Sequence, residues 1–188
     1  MGRLKDSICY LSGPMDNAKD GGVSWRQKIT PKLWKMGIGV FNPADKPCTG
    51  YIEDFELRER LEKAKQTSDW ETAVELTKPI VGIDLRMVHL SSFLVLYIDV
   101  NTFMFGTSIE FTWAIQQRKP VLIVCEQGKS HIPNFAFGMN PPSFMFNNFD
   151  EMMVYLNYID LSPTIDEKRR WHFFDYDKVF GRGKYAVC

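Results

Sequence analysis

No apolar run in this chain approaches the about 18 residues of a membrane-spanning helix, so no segment is expected to cross a bilayer. Neither sign of charge is in excess. The 23 lysines and arginines equal the 23 aspartates and glutamates, which argues against a dedicated nucleic-acid or anionic-membrane surface. Cys9, Cys48, Cys125 and Cys188 include no C-x-x-C pair, and His89, His131 and His172 have no ligand spacing. A structural metal is therefore not expected. Two of the cysteines fall in apolar stretches that read as core strands, and buried free thiols in a reducing cytoplasm are the expected state. Residues 1–6 carry no secretory apolar region, and Asp6 stands where a myristoylation signal wants Ser or Thr. Neither G-x-G-x-x-G nor a P-loop G-K-[ST] is found, and there is no internal repeat or second domain.

What is present suits a single domain with a substantial core, since 45% of 188 residues are hydrophobic. The stretch that organises the chain runs Phe93-Leu94-Val95-Leu96-Tyr97-Ile98-Asp99, an apolar run of strand length. Gly106-Thr107-Ser108-Ile109-Glu110 then reads as the turn into a helix. Arg118-Lys119-Pro120 closes that helix with cations and a breaker, and Pro120 to Cys125 is the next strand. This is a strand–loop–helix–strand unit. In an open parallel sheet, ligands bind at the carboxyl ends of the strands, where such helices begin. Glu110, in the first turn, is therefore expected to face a crevice. A second role is legible in the same residues, because Thr107-x-x-Glu110 fits a capping box.

Ser7 to Leu11 is a first strand, followed by a loop through Gly13, Pro14, Gly21 and Gly22. Ser24-Trp25-Arg26-Gln27 is a further capping box, opening a helix to about Met36 with Trp25, Ile29, Leu33 and Trp34 as its buried stripe. Gly37 ends it, and Ile38 to Phe41 is the second strand. Charge dominates from Lys46 to Lys78, which reads as one or two surface helices. Pro79 suits a helix start, with Ile80, Ile83, Met87 and Leu90 facing the core and Asp84 beside them. Gly128 to Asn148 reads as an apolar loop over a pocket, Phe149 to Ile159 as a last helix, and the aromatic tail from Trp171 as packed chain.

Four stretches, taken in order, resemble one family. They are Tyr10-Leu11-Ser12-Gly13-Pro14-Met15, Val40-Phe41-Asn42-Pro43-Ala44, Asp84 ahead of the central strand, and Gly106-Thr107-x-x-Glu110-x-x-x-Ala114. Together they resemble the nucleoside 2-deoxyribosyltransferase superfamily, which includes the 2'-deoxynucleoside 5'-monophosphate N-glycosidases. The resemblance covers residues 7–125, apart from the charged segment.

The resemblance implies an α/β fold, a Rossmann-like or flavodoxin-like three-layer sandwich with a parallel sheet of about five strands. It implies one such domain over residues 1–188, with a charged helical insertion around 46–78. Glu110 matches the family nucleophile, Asp84 the carboxylate that meets the base and handles its proton, and Tyr10 the residue that orients the nucleophile. Substrate contacts are implied for Ser12, Gly13, Pro14, Asp99, Gly106, Ser108 and Asn134, the last reaching a sugar from an adjacent subunit. The implied partners are a deoxynucleoside or deoxynucleotide, a free base, and further copies of the chain in a cytoplasmic homo-oligomer. No nucleic acid, membrane, metal or organic cofactor is called for. Met104 departs from the family, standing where transferases carry Asp and the monophosphate hydrolases Ser. Transfer on free deoxynucleosides is the preferred expectation. Monophosphate hydrolysis, with Gly13, Gly21, Gly22, Ser24, Arg26 and Ser108 as phosphate donors, and non-catalytic nucleotide binding are its alternatives.

Overall fold

Strand residues alternate between two cores. Cys9, Leu11, Phe93, Val95, Leu122 and Val124 enter one, and Tyr10, Leu94, Leu96, Val121, Ile123 and Cys125 enter the other. That period of two means helices cover both faces of the sheet. The computed structural model describes residues 2–15, 18–49, 55–162 and 170–182. In it, β1 (Ile8–Ser12), β2 (Gly39–Phe41), β3 (Phe93–Ile98), β4 (Val121–Cys125) and β5 (Met145–Phe146) form an all-parallel sheet in the order β2-β1-β3-β4-β5. This is the doubly wound flavodoxin-like order, and its strand order reverses between β1 and β3. On one face lie α1 (Val23–Lys35) and α6 (Phe149–Leu161), and on the other α3 (Trp70–Leu90) and α4 (Phe105–Gln116).

The remaining elements are α2 (Phe55–Gln66), α5 (Asn134–Met139) and α7 (Tyr176–Val179). The charged segment holds α2 and the first part of α3, which lie against each other. Trp171 anchors the tail. It is buried against Phe93 and Phe173, and its indole N–H donates to Tyr155 Oη at 3.0 Å. Lys119 ties the two helices of one layer together by donating to the carbonyls of Val88, His89 and Ser91 at the end of α3.

Several expectations are corrected. The helix carrying Asp84 begins at Trp70, capped by Asp69, so Pro79 lies inside it rather than at its start. Trp34 is 62% exposed and Leu90 is also exposed, because the sheet is reached by Trp25, Ile29 and Leu33 on α1 and by Met87 and Val88 on α3. Residues 128–148 are not one loop, for they include α5 and the edge strand β5. Cys9 and Cys125 are buried free thiols, whereas Cys188 lies outside the described residues.

Candidate active site

Tyr10 and Ser12 are two residues apart on β1, so both side chains leave the same face of the sheet. That face is covered by α3 and α4. Glu110 comes down from α4 to meet them. Tyr10 Oη donates to Glu110 Oε1 at 2.6 Å, and Ser12 Oγ donates to Oε2 at 2.5 Å. Each carboxylate oxygen thus has its own hydroxyl donor. Burial pushes the Glu110 carboxyl up to about 7, against the pull of these two bonds, and the charge of Asp84 adds to the rise. Burial and the facing Glu110 carboxylate hold the Tyr10 phenol well above its ordinary value, so Tyr10 stays a donor.

The capping box at Thr107 does not form. Helix α4 starts at Phe105 with Met104 at its N-cap, which places Thr107 inside the helix and Glu110 in the second turn rather than the first. Asp99 closes the preceding turn by accepting from Asn101 N and Thr102 Oγ1, and the helix begins just beyond. Glu110 is thereby released from any local task and spans to β1.

The loop after β1 is held by Arg26. Its guanidinium is fully buried and donates to the carbonyls of Leu11 at 3.2 Å, Gly13 at 3.0 Å, Gly22 at 2.7 Å and Pro14 at 3.4 Å. Burial lowers it to about 10, which still leaves a cation at neutral pH. A Cβ on Gly22, whose φ is +71°, would lie 2.1 Å from the Pro14 carbonyl oxygen, so only glycine fits there. The second capping box is also absent. Asp20 takes the N–H groups of Gly22 and Ser24 at 2.9 and 2.8 Å, and the bonds from Ser24 bring its carboxyl down to about 2. The donors proposed from sequence for a phosphate at this end of α1 are therefore already engaged. Arg26→Met strands four carbonyls. It is expected to cost about 3 kcal/mol or more in urea unfolding and to reduce activity with the disordered loop. An unchanged midpoint would contradict the holding role.

Glu110 and Asp84 line one cavity of about 400 Å³, together with Gly13, Pro14 and Gly106. Val81, Leu85, Phe103, Met104, Phe105 and Ile109 make its walls largely apolar. Met104, which departs from the family pattern, is thus part of an apolar wall. Among the described lining residues there is no arginine or lysine. Asp84, 17% exposed, is met from behind by Lys46, whose ammonium is 2.9 Å from Oδ1 and whose side chain is only 2% exposed.

The other expected contacts are not gathered here. Asp99 lines a separate cavity of about 620 Å³ that shares Pro14 with the first, and its oxygens serve Asn101, Thr102 and Gln127. Ser108 is exposed and donates to the Met104 carbonyl, and Asn134 is exposed at the start of α5, away from both cavities. Three contacts of the site are not directly legible in the sequence: Ser12 as the second donor to Glu110, Arg26 as the clamp of the loop, and Lys46 behind Asp84. The first had a signal, the Tyr10-x-Ser12 spacing on a strand that faces a helical carboxylate.

No protein-family profile matches the chain, and no curated protein sequence matches it. Among solved structures, it is similar to a 2-deoxyribosyltransferase from the psychrotolerant bacterium Bacillus psychrosaccharolyticus, described as a biocatalyst for nucleoside synthesis. The identity is 18% and the TM-score 0.55, over 85% of this chain and all of that one (100%). A conserved protein from Enterococcus faecalis V583 also aligns, at 17% identity and a TM-score of 0.37, over 82% of this chain and 87% of that one. The chain therefore has the fold of a 2-deoxyribosyltransferase.

Proposed function

We propose that this protein is a nucleoside 2-deoxyribosyltransferase-like enzyme that cleaves the N-glycosidic bond of free deoxynucleosides through a deoxyribosyl ester on Glu110. The observation that carries the reading is the part-buried Glu110 carboxylate, held between Tyr10 and Ser12 and lining a cavity that Asp84 also lines. The hydroxyl donors fix the carboxylate's orientation, as a nucleophile requires. In the first half-reaction a Glu110 oxygen bonds to C1' while the C1'–N bond breaks. Its electron pair goes to the base, which receives a proton from the carboxyl of Asp84. In the second half, an incoming base displaces Glu110 from C1' and returns its N–H proton to Asp84. Two displacements retain the configuration at C1'. Apolar walls suit a planar base and keep water from the ester. The residues need no metal or organic cofactor for these steps.

Free nucleosides are preferred over 5'-monophosphates because the cavity presents no described cation, and because Arg26 and the α1 amides are committed elsewhere. The test is to incubate the protein with each deoxynucleoside and deoxynucleotide, with and without free adenine or cytosine, and resolve the products. Exchange of bases on free deoxynucleosides supports the proposal. Release of base from monophosphates alone would replace it with the hydrolase, and binding without turnover would replace both.

The proposal includes a homo-oligomer. Phe105, Ile109 and Trp113 recur every four residues along α4 and are all exposed, as are Val74 and Val81 on the adjoining α3. Val81, Phe105 and Ile109 also border the cavity. Exposed apolar patches of this kind mark association surfaces, and a second copy seated there would wall the cavity and could bring its own Asn134 to the sugar. Trp113→Glu is expected to give monomers by analytical ultracentrifugation, with at least about a tenfold loss of activity. A wild-type monomer with full activity would contradict this.

A further inference from the structure

Lys46 is a buried charge that takes no part in the bond-making steps above. It follows β2, just beyond the turn Asn42 to Asp45, and its stem turns inward. Its ammonium donates to the Pro43 carbonyl at 2.8 Å and stands 2.9 Å from Asp84 Oδ1. A lysine with 2% of its side chain exposed has given up nearly all its hydration, and that cost is met only by a partner. Asp84 Oδ1 is itself sealed from solvent, while the residue lines the cavity. The pair is therefore built with one end in the interior and the other at the site.

We propose, resting on the transferase reading above, that Lys46 is a positioning residue that sets the proton inventory of Asp84. The ammonium favours the carboxylate form, so Asp84 stands ready to accept the N–H proton of the incoming base. In that step the C1'–O bond to Glu110 breaks and its electron pair returns to Glu110. The base nitrogen bonds to C1', and its proton moves to the Asp84 carboxylate. The donor step is the reverse, with the same proton passing from Asp84 to the departing base. One proton thus shuttles between the pair and successive bases, and neither half-reaction has to draw it from water. The bias toward carboxylate readies the enzyme for capture by a base.

Other charged groups reach Asp84. Its charge couples to the Glu110 carboxyl from α4 and to the Arg26 guanidinium from α1, and it adds to the rise of the Tyr10 phenol from β1, which stays neutral. Lys46 is in direct contact. Glu110 does not confuse the measurement when the second half-reaction is isolated, because there it is an ester and carries no charge.

The experiment is the pH dependence of kcat/KM for the acceptor base, in wild type, Lys46→Gln and Lys46→Arg. Gln keeps a donor for Asp84 and Pro43 but no charge. Removing a cation in contact raises a carboxyl pKa. The acid limb in Lys46→Gln is expected to move up by about one pH unit or more, a loss of about tenfold on the acid side. Lys46→Arg should restore the wild-type limb. A folded Lys46→Gln enzyme with an unshifted limb overturns the proposal, whatever its maximal rate. So does a Lys46→Gln chain that fails to fold, which would make the lysine a folding element. A wild type that turns over no deoxynucleoside overturns the transferase reading, and the proton role falls with it.

Discussion

Glu110→Gln is expected to lower turnover by at least about 10⁴-fold while leaving the protein folded. Gln has the same shape, and the Tyr10 and Ser12 hydroxyls can turn to meet an amide as well as a carboxylate. What is lost is the electron pair that bonds to C1'. The same substitution should change stability in a pH-dependent way. The folded Glu110 carboxyl is raised to about 7, chiefly by burial. Its contribution is therefore fully present below the unfolded carboxyl value and is lost as pH rises through 7. Gln has no such loss. The variant should match wild type near about pH 4.5 and exceed it by a few kcal/mol near about pH 8, read as a widening gap in Tm. A gap that does not change with pH would contradict the burial argument. Donor kcat/KM in wild type should fall below about 7 as the nucleophile is protonated.

Asp84→Asn is expected to be the second largest loss, and its size should depend on the leaving group. For ordinary bases, which leave only with a proton, about 10²–10⁴-fold is expected. For a base that departs readily as an anion or is already protonated, the loss should shrink to a small part of that. Comparing kcat/KM across such a series separates proton delivery from placement. An equal loss for every base would assign Asp84 to positioning alone. Stability is a necessary control, because Asn cannot match the charge of Lys46 behind it.

Much of this arrangement was legible in the sequence. The apolar run Phe93 to Ile98 has the length and β-formers of a buried strand, and a helix after a parallel strand begins at the carboxyl end of the sheet, where Glu110 stands. The resemblance in order and spacing puts Tyr10 and Asp84 on one site; Tyr10 donates to Glu110, and Glu110 and Asp84 line one cavity. Local signals misled where longer-range contacts were stronger. Two capping boxes read as such, yet Glu110 bonds to a strand 100 residues away and Asp20 caps the helix assigned to Ser24. Pro79 read as a helix start, whereas the helix tolerates it at an exposed position. Strand β5 has two residues, too few to show a period. Arg26 and Lys46 were hidden for a different reason. A buried cation is legible only from its partners, which here are loop carbonyls and one carboxylate distant in sequence.

The central claim is the ester on Glu110, and the direct measurement is intact mass of protein quenched in denaturant within seconds of mixing with a deoxynucleoside and no acceptor base. The expected result is wild-type protein heavier by one deoxyribosyl group, mapped by peptide fragmentation to Glu110 and discharged when free base is added, with no adduct on Glu110→Gln. Turnover without any adduct on wild type under that quench, or an adduct on another residue that persists in Glu110→Gln, would contradict it.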